Sequence, residues 1–237
     1  MTDVAWLSYS LQDFLMFGPQ VFLRLFIRLN QDFWPWQLLV VPLTLAVPWM
    51  MCRPTHAWRR LAVWLVAAAW IGSGAGFLVR YFGEINWPAV WFGWAFVAQG
   101  LLIAVLAICC HSEAIPKGRA GVFTGLWLTG VVALPWVTVL QSGELGAMAV
   151  FGLTPDVTLA ASSLVLAMMP RVWLWPLLPI PLLWVLFSAA TYWALQLVWF
   201  LLLPAATLIL FALGCWLSPS LARSQDPQSG HRGPVRR

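Results

Sequence analysis

The last apolar block of the chain, residues 172–217, runs for 46 residues without a charged side chain. As a single helix it would be about 69 Å long, at roughly 1.5 Å per residue, whereas the hydrocarbon core of a bilayer is only about 30 Å thick. The block must therefore fold back on itself, which predicts two membrane spans near 172–189 and 193–217. The turn between them, SAATY, contains neither Gly nor Pro, so the sequence leaves its position open.

The rest of the chain has the same character. Hydrophobic residues make up 62% of the 237 residues and charged residues 9%, whereas a soluble domain has roughly 25% charged residues. We predict an all-α, polytopic transmembrane helix bundle with about seven spans, six being the alternative. The five earlier spans are predicted at 34–52, 61–80, 88–110, 121–140 and 146–168.

The two ends of the chain differ from the transmembrane domain at 34–217. In residues 9–33, Arg24 and Arg28 recur at helical spacing opposite apolar residues, so this part of the N-terminal segment 1–33 is predicted to be an amphipathic helix in the headgroup plane. Residues 218–237 are polar, basic and rich in Pro, Gly and Ser, which predicts a disordered tail.

Lys and Arg residues cluster in alternate loops, which predicts the orientation. The richer side includes Arg53, Lys117, Arg171 and the tail, so we expect a cytoplasmic C-terminus and an external N-terminus in a bacterial inner membrane. The 18 tryptophans lie largely near span ends, as is typical of interfacial anchors. Nothing in the sequence supports nucleic-acid binding, a metal site or a named cofactor.

The fifth predicted span contains the stretch FGLTPDVTLAASS, residues 151–163. Pro155 either kinks a long helix or begins a shorter one. In the first case Asp156 lies deep in the membrane and must be neutral, paired or facing a cavity; in the second it lies near a helix N-terminus, where the macrodipole favours its charge. Capping at the outer interface is a third interpretation. The candidate sensing residues are Asp156, Pro155, Thr154, Thr158, Arg80 and Glu84. Arg80 is the expected partner of Asp156, and Glu84 competes with Asp156 for Arg80.

Small residues at four-residue spacing predict close helix packing. The two predicted stripes are Ala68, Gly72 and Gly76 in the second span, and Gly121 and Gly125 in the fourth.

Four short stretches carry a family resemblance: NQDFWPWQLLVV (30–41), INWPAVWFGWAFVAQGLLI (85–103), FGLTP (151–155) and PLLPIPLLWVLFSAA (176–190). Together they resemble an uncharacterised family of bacterial multi-span integral membrane proteins, which implies the membrane fold but no assigned activity. Where that family continues with Cys-Pro-Thr, this chain has Asp156, Val157 and Thr158, so a thiol chemistry does not carry over to this position.

Two functions remain open at this point. The first is a small permease or carrier for a small or lipophilic solute, with Asp156 as the ion- or substrate-sensing group in a Pro-broken span. The second is a non-catalytic subunit or assembly factor that docks on other membrane proteins or on a second copy, and that binds lipid or pigment. An enzyme is less expected, because no set of acid, base, nucleophile and metal ligands is evident.

Overall fold

A computed structural model of the chain describes residues 17–110, 112 and 114–218. Every regular element in these ranges is helical, which confirms the all-α fold class. The predicted tail beyond Ser218, the first sixteen residues and His111 lie outside the described residues. The α-helices are α1 (Pro19–Met51), α2 (His56–Gly72), α3 (Trp87–Cys109), α4 (Ala120–Leu128), α5 (Pro135–Ser142), α6 (Pro155–Leu166), α7 (Arg171–Leu177), α8 (Pro179–Ala194) and α9 (Leu202–Leu217).

Two of these helices continue through π-helical turns, Ser73–Tyr81 after α2 and Thr129–Ala133 between α4 and α5. With these turns included, five helices are long and apolar enough to cross a membrane: Pro19–Met51, His56–Glu84, Trp87–Cys109, Lys117–Ser142 and Val198–Leu217. The pair α7–α8, bent by 44°, makes a sixth if it is one span. The seven predicted segments are thus five long helices, one bent pair and α6, which is too short to cross alone.

The predicted boundary between an interfacial helix and the first span is not present, because α1 is continuous through residues 33 and 34. Its N-terminal half also packs against protein rather than lying apart from it. The ring of Phe22 lies 5.3 Å from that of Phe82, and the ring of Phe26 lies 5.7 Å from that of Phe200. The apolar face that predicted a headgroup contact is therefore the face that joins the bundle.

The turn in the last apolar block lies further along than SAATY. Helix α8 continues to Ala194, and the chain reverses around Gln196, which has a positive φ of 58°. Ser188 and Tyr192 are therefore buried helical residues rather than turn residues. The helix continues because SAATY contains no residue that interrupts helical hydrogen bonding.

Two prolines inside spans each leave one backbone carbonyl without its helical donor. A side chain from a neighbouring helix donates to that carbonyl instead. A proline has no N–H, so the carbonyl four residues earlier loses its helical donor. Pro48 frees the carbonyl of Thr44, which accepts the indole N–H of Trp127 at 3.0 Å. Pro181 likewise frees the carbonyl of Leu177, which accepts Nε2 of Gln99 at 2.8 Å. Each of these hydrogen bonds connects a proline-containing span to a specific neighbouring helix.

The close backbone approaches only partly coincide with the predicted small-residue stripes. A Cβ added at Gly72 would lie 2.7 Å from the carbonyl oxygen of Gly152, so Gly72 packs tightly against a loop rather than against another helix. A Cβ at Gly76, Gly121 or Gly125 would meet open space, and Ala68 is exposed. Those four residues face outward, because four-residue spacing marks a helix face without showing whether that face meets protein or lipid.

Further close approaches occur at glycines that the spacing did not single out. A Cβ at Gly74 would lie 2.6 Å from the carbonyl oxygen of Gly93, and a Cβ at Gly130 would lie 3.0 Å from the Cβ of Ala161. These contacts bring α3 onto the turn after α2, and α6 onto the π-helical turn between α4 and α5.

Candidate functional site

Helix α6 lies at the centre of the bundle, and all twelve of its residues are buried. It packs against α2, α9 and both π-helical turns. With 12 residues it is about 18 Å long, roughly half of what a bilayer core requires. The remainder of this pass is residues 143–154, which enter the bundle without forming an α-helix. We refer to residues 143–154 as the entry loop.

Side chains satisfy the backbone of the first part of the entry loop. Nδ2 of Asn30 donates to the carbonyls of Gly146 at 2.7 Å and Met148 at 2.8 Å. The hydroxyl of Thr138 accepts the backbone N–H of Ala149 at 2.9 Å. Non-helical backbone inside a membrane protein requires partners of this kind, because lipid offers none.

Two of the predicted sensing residues, Thr154 and Thr158, supply the hydrogen bonds of the second part of the entry loop. The hydroxyl of Thr158 accepts the N–H of Gly152 at 2.8 Å and donates to the carbonyl of Thr154 at 2.7 Å. Gly152 needs this turn because its φ is +82°, a left-handed conformation that favours glycine. The hydroxyl of Thr154 donates to the carbonyl of Val150 at 3.1 Å. Thr154 and Thr158 therefore hold the loop rather than line an opening.

Pro155 begins α6 at its first position, so the second of the two sequence interpretations holds. Thr154 precedes it in an extended conformation, as the residue before a proline requires. Asp156 follows in the first turn of the helix and is only 5% exposed. The helix macrodipole favours a carboxylate at this position.

Three side chains on one face of α8 meet the carboxylate of Asp156. The indole Nε1 of Trp184 donates to Oδ1 at 3.1 Å, and the hydroxyl of Tyr192 donates to Oδ2. The hydroxyl of Ser188, between them at four-residue spacing, faces the same carboxylate. We call Asp156, Trp184, Ser188 and Tyr192 the carboxylate clamp. All three partners are uncharged, and within the described part of the chain Asp156 forms no ion pair.

Aromatic rings surround the two large residues of the carboxylate clamp. Trp184 lies 5.4 Å from each of Phe92, Phe96 and Phe187, measured between ring centroids. Tyr192 lies 5.9 Å from Phe22 and 5.0 Å from Phe200. The carboxylate is therefore closed off from water by a shell of rings in this conformation.

The surroundings of the entry loop place the start of α6 near the middle of the bundle. Gly152 packs against Ala69 and Gly72, close to the midpoint of the helix His56–Glu84. The ring of Phe151 lies 5.4 Å from that of Trp127, which is similarly central in Lys117–Ser142. Asp156 therefore lies at mid-height in the bundle, and not at an exposed rim.

The predicted partners Arg80 and Glu84 belong to a separate cluster at the surface. Glu84 pairs with Arg28 at 3.0 Å, and both side chains are about half exposed. The guanidinium groups of Arg28 and Arg80 lie over the ring of Tyr81, whose hydroxyl donates to Asp32. Arg80 is thus not the partner of Asp156, whose carboxylate instead meets donors from α8.

Sequence reasoning missed the three α8 members of the carboxylate clamp. Trp184, Ser188 and Tyr192 recur every four residues, which is a polar stripe in an otherwise apolar helix. That signal was obscured because the turn was predicted at SAATY, which removed Ser188 and Tyr192 from the helix. Comparisons of the chain with protein-family models, with curated proteins and with solved structures found no match.

Proposed function

We propose that this protein is a carrier for a small or lipophilic solute in the bacterial cytoplasmic membrane, with Asp156 as its proton- or charge-sensing group. The observation that carries the proposal is a buried carboxylate at the start of a half-helix in the centre of the bundle, with no counter-ion among the described residues. A carboxylate inside a membrane costs several kcal/mol, and such residues commonly mark ion pathways. Interrupted helices with their N-termini at mid-membrane are a recurrent transporter feature.

Both π-helical turns pack against α6, which also supports a moving part at this place. Single π-helical turns are frequent at functional sites, because their looser hydrogen bonding tolerates local rearrangement. The π-helical turn Thr129–Ala133 contacts α6 through Gly130 and Ala161 without intervening side chains. A shift of α6 would therefore be transmitted directly to the helix Lys117–Ser142.

Two lateral cavities supply a route suited to a lipophilic solute. One of about 290 Å³ lies between α1 and α2 and reaches Phe151 and Gly152; another of about 300 Å³ lies between α1 and the α4–α5 helix and reaches Ala149 and Val150. Both therefore reach the entry loop from the lipid side of the bundle. Helix α1 separates them and contains Pro35, Pro42 and Pro48, which are positions where a helix bends.

The test uses the purified protein in liposomes that contain a trapped pH-sensitive dye. A panel of weak organic acids and aromatic amines is added under an imposed pH gradient, and solute-dependent proton movement is recorded. We expect Asp156→Asn to abolish this movement, because the amide does not take up a proton. Glu84→Gln, a matched change in the surface cluster, should leave it unchanged.

Equal activity of Asp156→Asn and the unmodified protein would exclude Asp156 as the sensing group. Protein yield and the melting temperature in detergent are measured alongside, so that loss of folding is separated from loss of transport.

A second candidate is a non-catalytic subunit or assembly factor of a larger membrane complex. Its support is the extent of outward-facing apolar surface, for which α1 supplies the large exposed side chains Trp34, Trp36, Leu38, Leu39 and Trp49. Native purification with mass spectrometry and an absorption spectrum would reveal a stable partner, a second copy or a pigment. A clean monomer that keeps its cellular role would contradict this candidate.

A further inference from the structure

A groove between the bent pair α7–α8 and helix α9 is formed by two adjoining cavities. The inner cavity measures about 170 Å³ and the outer one about 280 Å³. They share Leu174, Leu178 and Phe211 as walls, so they lie directly beside each other. We call the two cavities together the α7–α9 groove.

The 44° bend between α7 and α8 explains why the groove exists. Pro176, Pro179 and Pro181 lie at or next to this bend, where they remove successive backbone donors. The bent pair therefore diverges from the straight helix α9, and the wedge between them remains unfilled by side chains. The floor of the wedge is α6, through Leu159, Ser163 and Leu166.

The inner end of the groove is suited to a hydrocarbon chain. Among the described residues that line it, Ser163 and Thr207 carry hydroxyl groups, which donate to the carbonyls of Ala160 at 2.6 Å and Leu203 at 3.0 Å in their own helices. These lining residues therefore present no free hydrogen-bond donor. Leu182 and Leu208 form the outer rim of this end and are about half exposed, so it opens sideways toward the hydrocarbon of the bilayer.

The outer end of the groove carries a positive charge. Arg171 lines it together with Trp175 and Cys215, and it is the single charged residue among the described residues that line either cavity. Arg171 forms no ion pair with any described residue. An exposed guanidinium that has no acidic partner among the described residues, at the mouth of an apolar groove, is complementary to an anionic headgroup.

We propose that the α7–α9 groove binds one anionic phospholipid from the surrounding bilayer. Its phosphate lies at Arg171, and one acyl chain runs past Leu178 and Phe211 to Pro181 and Val185. The predicted orientation places Arg171 at the cytoplasmic leaflet, where anionic lipids are enriched. This site does not depend on the proposed transport function, since it uses neither Asp156 nor the cavities beside α1.

The experiment is native mass spectrometry of the purified protein in a mild detergent. The protein is delipidated and then given equal amounts of phosphatidylglycerol and phosphatidylcholine. We expect one retained lipid per chain and a preference for phosphatidylglycerol of roughly fivefold, which corresponds to one favourable basic contact. The absence of any preference in the unmodified protein would overturn the proposal.

Two kinds of variant locate the site. Arg171→Gln should remove the preference, whereas Lys117→Gln, a charge removal in another loop at the same end, should retain it. Equal effects of the two variants would overturn the headgroup site, because they would show a general surface charge effect.

Leu178→Trp should fill the groove and reduce retained lipid, and Leu182→Trp at the exposed rim repeats the test if the first variant fails to fold. Lipid retained at the same level in a folded groove-filling variant would overturn the acyl site.

The chain beyond Ser218 is the other occupant that the experiment distinguishes. A variant that ends at Ser218 should keep its bound phospholipid. If removing residues 219–237 were needed before any lipid bound, the groove would hold the tail and the proposal would be overturned.

Discussion

Asp156 is the residue whose surroundings depart most from those expected of a membrane interior. Its carboxylate meets an indole, a serine hydroxyl and a phenol from α8, and a helix N-terminus from its own chain. Donors to a charged acceptor are worth about 1.5–3 kcal/mol each in soluble proteins, and less inside membranes. The carboxylate clamp therefore fastens α6 to α8, independently of the transport function proposed for it.

Tyr192→Phe tests that attachment, because it removes one donor and leaves the ring. We expect the melting temperature of the purified protein in detergent to fall. A double-mutant cycle with Asp156→Asn should give a coupling free energy of about 1–2 kcal/mol.

The matched control is the surface pair Tyr81–Asp32, in which Tyr81→Phe and Asp32→Asn alter a bond between a buried tyrosine and an exposed aspartate beside exposed arginines. Its coupling should be smaller, since water and neighbouring charges weaken it. A coupling at the buried pair no larger than at the surface pair would show that the carboxylate clamp does not hold α6 in place.

At this scale the sequence identified Asp156 and Pro155 but not their surroundings. A single carboxylate among apolar residues stands out in any transmembrane sequence, and Pro155 limits the helix start to two alternatives. The partners depend on which faces of distant helices meet, and tryptophan is too common in this chain for Trp184 to be singled out. Opposite charge predicts Arg80 as the partner of Asp156, whereas the observed partners are neutral.

At the scale of elements, the entry loop and α6 together make one pass through the bundle. The loop keeps its non-helical path because Asn30, Thr138 and Thr158 supply hydrogen bonds that a helix would have made internally. Its close contact with α2 depends on two glycines, Gly72 and Gly152, that allow their backbones to meet.

Gly72→Ala tests this contact, because the added methyl group would lie 2.7 Å from the carbonyl oxygen of Gly152. Overpacking of this kind costs about 1–3 kcal/mol, so we expect a clear loss of thermal stability in detergent. Gly76→Ala lies one turn along the same helix, where the methyl group meets open space, and it should leave stability unchanged or slightly raised. Similar melting temperatures for the two variants would mean that the loop does not approach α2 this closely.

Hydropathy predicted which stretches are helical spans, because the backbone N–H and C=O groups of a long apolar run in lipid must be hydrogen-bonded within a helix. It did not predict where α6 begins, because the preceding residues 151–153 are apolar as well and are buried by protein instead of by lipid. The reversal at Gln196 was missed for a related reason: a left-handed glutamine carries no sequence signal comparable to Gly or Pro.

At the scale of the whole molecule, contacts between loops place Arg59 and Arg119 at the same end. Arg59 donates to the carbonyl of Ser112, and Arg119 donates to the carbonyls of Trp216 and Leu217. The loops after α1 and α3 therefore lie at the same end as the end of α9. At the opposite end, Arg28 meets Glu84, consistent with segments that alternate in direction.

This alternation predicts that the two termini lie on opposite sides of the membrane. A fluorescent protein that folds only in the cytoplasm should report at the C-terminus, and a phosphatase that is active only outside should report at the N-terminus. The reverse pairing would show the opposite orientation, and the same side for both termini would exclude seven passes.

The central position of α6 has a consequence for how the protein is made. Its neighbours include α8 and α9, which are synthesised after it, so α6 cannot complete its surroundings when it first leaves the ribosome. Because the entry loop has polar backbone that lipid cannot satisfy, this segment is a poor candidate for release into the bilayer on its own. The bundle around α6 is therefore complete only after the last apolar block, residues 172–217, has been synthesised and has packed against α6.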